Sequence, residues 1–116
     1  MSAAKVFLYA EIQVAVPFQS IDWPAINVAM KQEAGLKSKT WLSGINTNTV
    51  GGFYEFDSLH NAKAYATGYL ARAAEQIGGS LTVRLYNGDV VEAASRGMSS
   101  PYFGAAGAAA GKRDAA

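Results

Sequence analysis

Residues 6–16 alternate with a period of two, and both sides of the alternation carry large apolar groups. Val6, Leu8, Ala10, Ile12 and Val14 share one side. Phe7, Tyr9, Glu11 and Gln13 share the other. Such a period, rich in β-branched and aromatic residues, makes a strand, and Pro17 ends it. A strand facing water on one side should be polar there. This one is greasy on both sides, so it belongs at the centre of a sheet that is shielded twice.

The rest of the chain supplies partners in a regular order. Ser20 or Asp22 can cap a first helix, and Pro24 fits its first turn. Ile21, Ala25, Ile26, Ala29 and Met30 form its apolar stripe, and Gly35 is placed to stop it in a left-handed conformation. Residues 36–43 read as a second strand, with Leu36, Thr40 and Leu42 on one side and Trp41 on the other. A polar turn over residues 44–49 leads to a third strand at 50–56. There Gly51-Gly52 signals a bulge or the close approach of another group. Asp57 or Ser58 caps a longer helix, whose Leu59, Ala62, Ala66, Tyr69, Leu70, Ala73 and Ile77 recur at three- and four-residue steps. Gly68 lies within that helix and predicts close packing there; Gly78-Gly79 ends it. Residues 81–86 form a fourth strand. Asn87-Gly88 then allows either a tight hairpin into 89–93 or a short helix through 90–95.

The order β-α-β-β-α-β is the split βαβ arrangement. It predicts an α+β, ferredoxin-like fold: one four-stranded antiparallel sheet with two helices on one face. The domain is expected over residues 1–96, followed by a Gly/Ala-rich tail over 97–116 in which Pro101-Tyr102-Phe103 is suited to docking on the domain or on a partner. Because the helices cover only one face, Phe7 and Tyr9 predict association through the other. Each large apolar side chain buried there contributes about 1.5–3 kcal/mol. A two-fold homodimer with sheets face to face is the simplest cover.

Composition removes several functions. The chain has 116 residues, half of them hydrophobic, which suits one domain. Ten basic and nine acidic residues give a formal charge of +1 without a basic stripe, so neither nucleic acid nor a membrane surface is an expected partner. There is no cysteine, hence no disulfide and no thiolate metal site. No signal-peptide pattern opens the sequence, and a soluble cytoplasmic protein is expected. His60 is the only histidine and has no companion ligands at metal-binding spacing, so it reads as a solvated residue in a first helical turn. Gly51-Gly52 lies inside a strand rather than between strand and helix, so it is no phosphate-binding turn. No nucleophile elbow is present. The expected cofactor set is none.

One stretch carries a family likeness. Leu36-Lys-Ser-Lys-Thr-Trp41-Leu-Ser, Gly51-Gly-Phe-Tyr54-Glu-Phe56-Asp and Ala62-Lys-Ala-Tyr65 together resemble the YdhR-type mono-oxygenases. These belong to the antibiotic-biosynthesis mono-oxygenase-like, dimeric αβ-barrel superfamily. The likeness covers roughly residues 5–96 and is strongest over 35–70. It implies a two-helix, four-strand protomer, a face-to-face dimer, a pocket between helices and sheet, and the short helix after Asn87-Gly88. It also implies mono-oxygenase chemistry, although the superfamily contains isomerases, cyclases and haem enzymes too.

The chemistry expected on that basis is a cofactor-independent mono-oxygenase. A small aromatic or quinol-like substrate is deprotonated and itself reduces molecular oxygen. The protein excludes water, stacks the ring and stabilises the anion. Trp41 and Tyr54 are the candidate catalytic aromatics, since indole N–H and phenol O–H donate hydrogen bonds while their rings line an apolar wall. Tyr65, Tyr69 and Tyr86 are candidate substrate-binding residues. Glu11 is the candidate base, because a carboxylate on a central strand is well placed for proton transfer. Its plainer role is a carboxylate paired across the dimer with Lys39, Arg84 or a tyrosine, and Glu55 carries the same ambiguity. The alternatives are a cofactor-free isomerase, lyase or cyclase in the same pocket, or a non-catalytic dimeric binding or stress-related protein with a closed core.

Overall fold

A computed structural model describes residues 4–103. Strand β1 (Val6–Gln13) is followed by helix α1 (Trp23–Met30), strands β2 (Leu36–Ser43) and β3 (Thr49–Phe56), and helix α2 (Leu59–Tyr65). A wide π turn (Ala66–Leu70) joins α2 to α3 (Ala71–Ile77). Strand β4 (Leu81–Asn87) and the short helix α4 (Glu92–Gly97) complete the fold. The sheet order is β2-β3-β1-β4, with every neighbouring pair antiparallel. This is the expected ferredoxin-like α+β arrangement, with β1 central. Among the described residues, no helix is long and apolar enough to cross a membrane.

The core forms where the helices meet the aliphatic face of β1. Val6, Leu8 and Ala10 pack with Tyr54, Phe56, Met30, Ala62, Tyr65 and Leu70 in one buried cluster. The Asp22 side chain caps α1 by accepting from the Ala25 amide, and Ser58 caps α2 by accepting from the Asn61 amide. Gly78 ends α3 in the left-handed conformation at φ +78°. Asn87 does not start a hairpin. Its side-chain oxygen accepts from the amides of Asp89 and Val90, while Gly88 donates to the Lys5 carbonyl, and the chain turns into α4.

Four local expectations are corrected. β1 stops at Gln13 rather than at residue 16: its ladders end at the Gln13–Thr49 and Ile12–Leu81 pairs, and past them only the Gln13 and Val14 amides still bond, to the carbonyls of Ser80 and Asn48. α1 ends at Met30, before Gly35. Gly35, at φ +78°, instead forms the corner entering β2, packed on Asp57 and Asn61. Gly68 lies in the π turn, where an added side chain would meet only Arg72 at 3.5 Å, so it marks a widened helix rather than a tight contact. The fourth concerns the faces of β2. Leu36 lies opposite Phe56 and Ser38 opposite Glu55, so Lys37 is an extra, bulged residue. The bulge puts Leu36 against the core and sends Thr40 and Leu42 to the other face. Lys39 and Trp41 then point towards the helices.

The outer face of the sheet is partly covered by the chain itself. Pro101–Phe103 lies across β2, β3 and β1 like a strap. The rings of Phe7 and Phe53 are 5.0 Å apart; Tyr102 stands 5.1 Å from Phe53, and Phe103 meets Phe7 edge-on at 5.8 Å. The Tyr102 hydroxyl pairs with that of Thr40 at 3.0 Å. Lys5 donates to the Tyr102 carbonyl at 2.8 Å and to Glu55 at 2.7 Å, with Lys37 3.4 Å from the same carboxylate oxygen. Phe7 is thereby buried without a second copy. The rest of the Gly/Ala-rich tail, residues 104–116, lies outside the described residues.

Truncating the strap's anchor should be costly. Phe103→Ala is expected to lower stability by about 2–3 kcal/mol in urea unfolding. Ile45→Asp, at a side chain that is 87% exposed, should change it by less than about 0.5 kcal/mol.

Candidate functional site

The sheet register brings a small set of reactive groups to its helix face. Trp41 lies opposite Gly52, and Lys39 opposite Tyr54. The missing side chain at Gly52 is what admits the lysine: a Cβ there would come within 2.6 Å of the Lys39 Cε. The close approach expected at Gly51-Gly52 is therefore the Lys39 stem. Its amine stands 3.2 Å from the centroid of the Trp41 ring, 5.0 Å from that of Tyr54, and 3.4 Å from the Met30 sulfur.

These residues border an apolar cavity of about 100 Å³ between the helices and the sheet. Met30, Lys39, Trp41, Tyr54, Tyr69 and Leu70 are among its walls. A wider groove of about 230 Å³ between α1 and β2 adjoins it, and the two share Met30, Lys39 and Trp41 as a partition. Another groove, of about 340 Å³, lies among the loops after β1 and β2, but no ionisable side chain lines it.

Burial sets the charge state of each group. It pushes the Lys39 amine down to about 7. The indole face beneath favours the ammonium and opposes that shift. Burial pushes the Tyr54 phenol up to about 12. Tyr65 is raised further, first by burial and then by Tyr54. Its hydroxyl is fully buried and has no aligned hydrogen-bond partner among the described residues, although Tyr54 is near enough to act on it electrostatically. Tyr69 stacks on Tyr65 with rings 5.5 Å apart and nearly parallel. Its phenol is raised by burial and by Glu33, and is pulled back by Arg72. The three phenols thus stay neutral around pH 7 as hydrogen-bond donors. The Trp41 N–H is already used, donating to the Asn27 side chain at 2.9 Å. Trp41 therefore offers the cavity its ring face.

The candidates from the sequence divide between the two faces of the sheet. Trp41, Tyr54 and Tyr69 meet at the cavity, with Tyr65 stacked behind Tyr69. Glu11 and Tyr86 lie on the outer face. There Glu11 accepts a hydrogen bond from Tyr9, and Tyr86 is half exposed. Lys39 and Glu11 point to opposite faces of the sheet. Glu55 is buried beneath Lys5 and Lys37, away from the cavity. His60 is exposed in the first turn of α2. The sequence reading missed Lys39 as a cavity residue. Its signal was the Lys-x-Trp spacing on β2 facing Gly-x-Tyr on β3, which becomes readable only once the register is known.

Fold and cavity together define a ferredoxin-like α+β protein with an aromatic, amine-bearing cleft between its helices and sheet. A family model described as "Putative mono-oxygenase ydhR" matches residues 11–99. The chain belongs to that family. No curated protein matches it.

Two measurements check these charge states. In the unfolded chain Lys39 holds its proton up to about 10.5, but in the fold only to about 7. Between those values the unfolded state binds more protons, so rising pH favours the fold. Lys39→Met should therefore stabilise by about 1–2 kcal/mol at and below pH 7, with a gain that fades towards pH 10.5, seen as a pH-dependent Tm difference. Tyr65→Phe removes an unpartnered buried hydroxyl and should raise stability by up to about 1 kcal/mol in the same assay.

Proposed function

We propose that the cavity is the active site of a cofactor-independent mono-oxygenase acting on a small phenol or quinol. The observation that carries this is the apolar space walled by Trp41, Tyr54 and Tyr69, which a closed core would lack. The family's mono-oxygenase description agrees with it. The cavity supplies what such chemistry needs from a protein: a dry wall for the ring and neutral donors near its oxygen. The substrate supplies the electrons. A phenol with hydrogen on the para carbon reacts with one dioxygen to give a quinone and water. One oxygen atom enters the ring carbon, the other leaves as water, and the ring loses four electrons.

Size narrows the substrate. An apolar cavity of about 150 Å³ holds benzene. A single ring therefore enters only when Met30 or Lys39 swings aside and joins the inner space to the outer groove. The reading includes a homodimer. Its support is the part of the outer face left open by the strap, where Tyr9 and Phe53 are half-buried and Tyr86 and Leu42 exposed. Sedimentation at micromolar concentration measures that state directly.

The catalytic test is oxygen uptake by the purified protein with a panel of one- and two-ring phenols and hydroquinones. Uptake without added flavin or metal, with one labelled atom from ¹⁸O₂ in the quinone, is the expected result. Trp41→Ala should lower kcat/KM by about tenfold or more, the loss of one well-placed aromatic wall. A folded protein that consumes no oxygen across the panel would sink the oxygenase reading.

A further inference from the structure

Lys39 is the one group at the cavity whose chemistry the aromatic wall does not explain. Its amine rests on an indole face and beside a thioether. Among the described residues no carboxylate lies within ion-pairing distance of it, whereas Lys5 and Lys37 both reach Glu55. A lysine without a carboxylate, turned inward over a glycine that makes room for it, lacks an anion. The space beside it is the apolar cavity of about 100 Å³, which adjoins the outer groove at Met30 and Lys39 and whose walls also carry the neutral phenols of Tyr54 and Tyr69.

We propose that Lys39 accepts the proton of an acidic aromatic hydroxyl bound in this cavity and then holds the resulting phenolate as its ammonium partner. The O–H bond of the ligand breaks and an N–H bond forms on Nζ, so the net charge of the site does not change. The inference rests on reading the cavity as a phenol site, but not on any reaction with oxygen. Burial supports it, since an amine held near neutrality is free to take a proton around pH 7. Once charged, the ammonium is stabilised by the Trp41 ring. The other titratable groups around the amine are Tyr54 from β3 and Tyr69 from the long helix, both neutral. Lys31 and Lys37 line the outer groove, and Glu33 acts on Tyr65 and Tyr69. None of these supplies a competing base inside the cavity. Glu11 faces the other side of the sheet.

The probe is 4-nitrophenol, whose ionised form absorbs at longer wavelength than its neutral form. Titrated into the wild-type chain, it should bind with its ionisation moved down by about one pH unit or more. Lys39→Met should abolish that shift and weaken binding of the ionised form by about tenfold or more. Folding of the variant is checked by thermal unfolding, where it is expected to be the more stable protein. Tyr54→Phe should keep most of the shift, because Tyr54 donates a hydrogen bond but takes no proton. Equal ionisation in wild type and Lys39→Met overturns the proposal. So does binding of the neutral form only, and so does absence of binding. The two readings fail separately. Ionisation without oxygen uptake removes the oxygenase reading and leaves Lys39 in its role. Oxygen uptake with a pH profile unchanged in Lys39→Met removes the role and leaves the oxygenase.

Discussion

The central strand must be kept dry on both sides, and the rest of the molecule is arranged around that demand. Val6, Leu8 and Ala10 are covered by the two long helical segments. Phe7 is covered by Phe53, Tyr102 and Phe103. The first shield is large and nearly continuous. The second is a short strap, held by aromatic contacts and by Lys5, which bridges the Glu55 carboxylate and the Tyr102 carbonyl. Towards Tyr9, Glu11 and Tyr86 that shield thins out, and the outer face becomes half-open.

The site depends on a second constraint, the bulge at Lys37. Side chains alternate along a strand, so one extra residue reverses the facing of everything before it relative to everything after it. Without that residue, Leu36 and Lys39 could not both point to the helix side. With it, Leu36 completes the core while Lys39 and Trp41 reach the cavity. Gly52 then provides the room that a longer side chain would have filled.

Much of the scaffold was legible because it rests on local rules. Alternation marked the four strands, Asp22 and Ser58 are capping residues at the places where caps are needed, and Gly78 stops a helix in the usual way. The polar turn and the order of elements were enough for the sheet topology. The features that escaped are those set by neighbours distant in sequence. The residues themselves left hairpin and helix both open after Asn87; the family likeness pointed to the helix, which the Asn87 side chain and the Gly88 bond to Lys5 hold in place. The facing of Leu36 turned on a bulge that no composition announces. Trp41 and Tyr54 could be named as aromatics of interest, yet that Glu11 lies behind the sheet from them follows only from the register. Lys39 was visible as a charge, and a charge on a strand normally reads as a surface group. Its inward course became apparent with the glycine across from it.

The strap has a bearing on how the molecule is made. Lys5 and Tyr102, which it joins, are ninety-seven positions apart in the chain. β1 is synthesised before β3 and β4, its sheet neighbours, and before the cover over Phe7. Contacts of such long separation slow folding, because the loop must close before the contact is gained. The outer side of β1 therefore stays uncovered until the strap has been made and has closed on it, and exposed apolar strand surface of this kind favours aggregation.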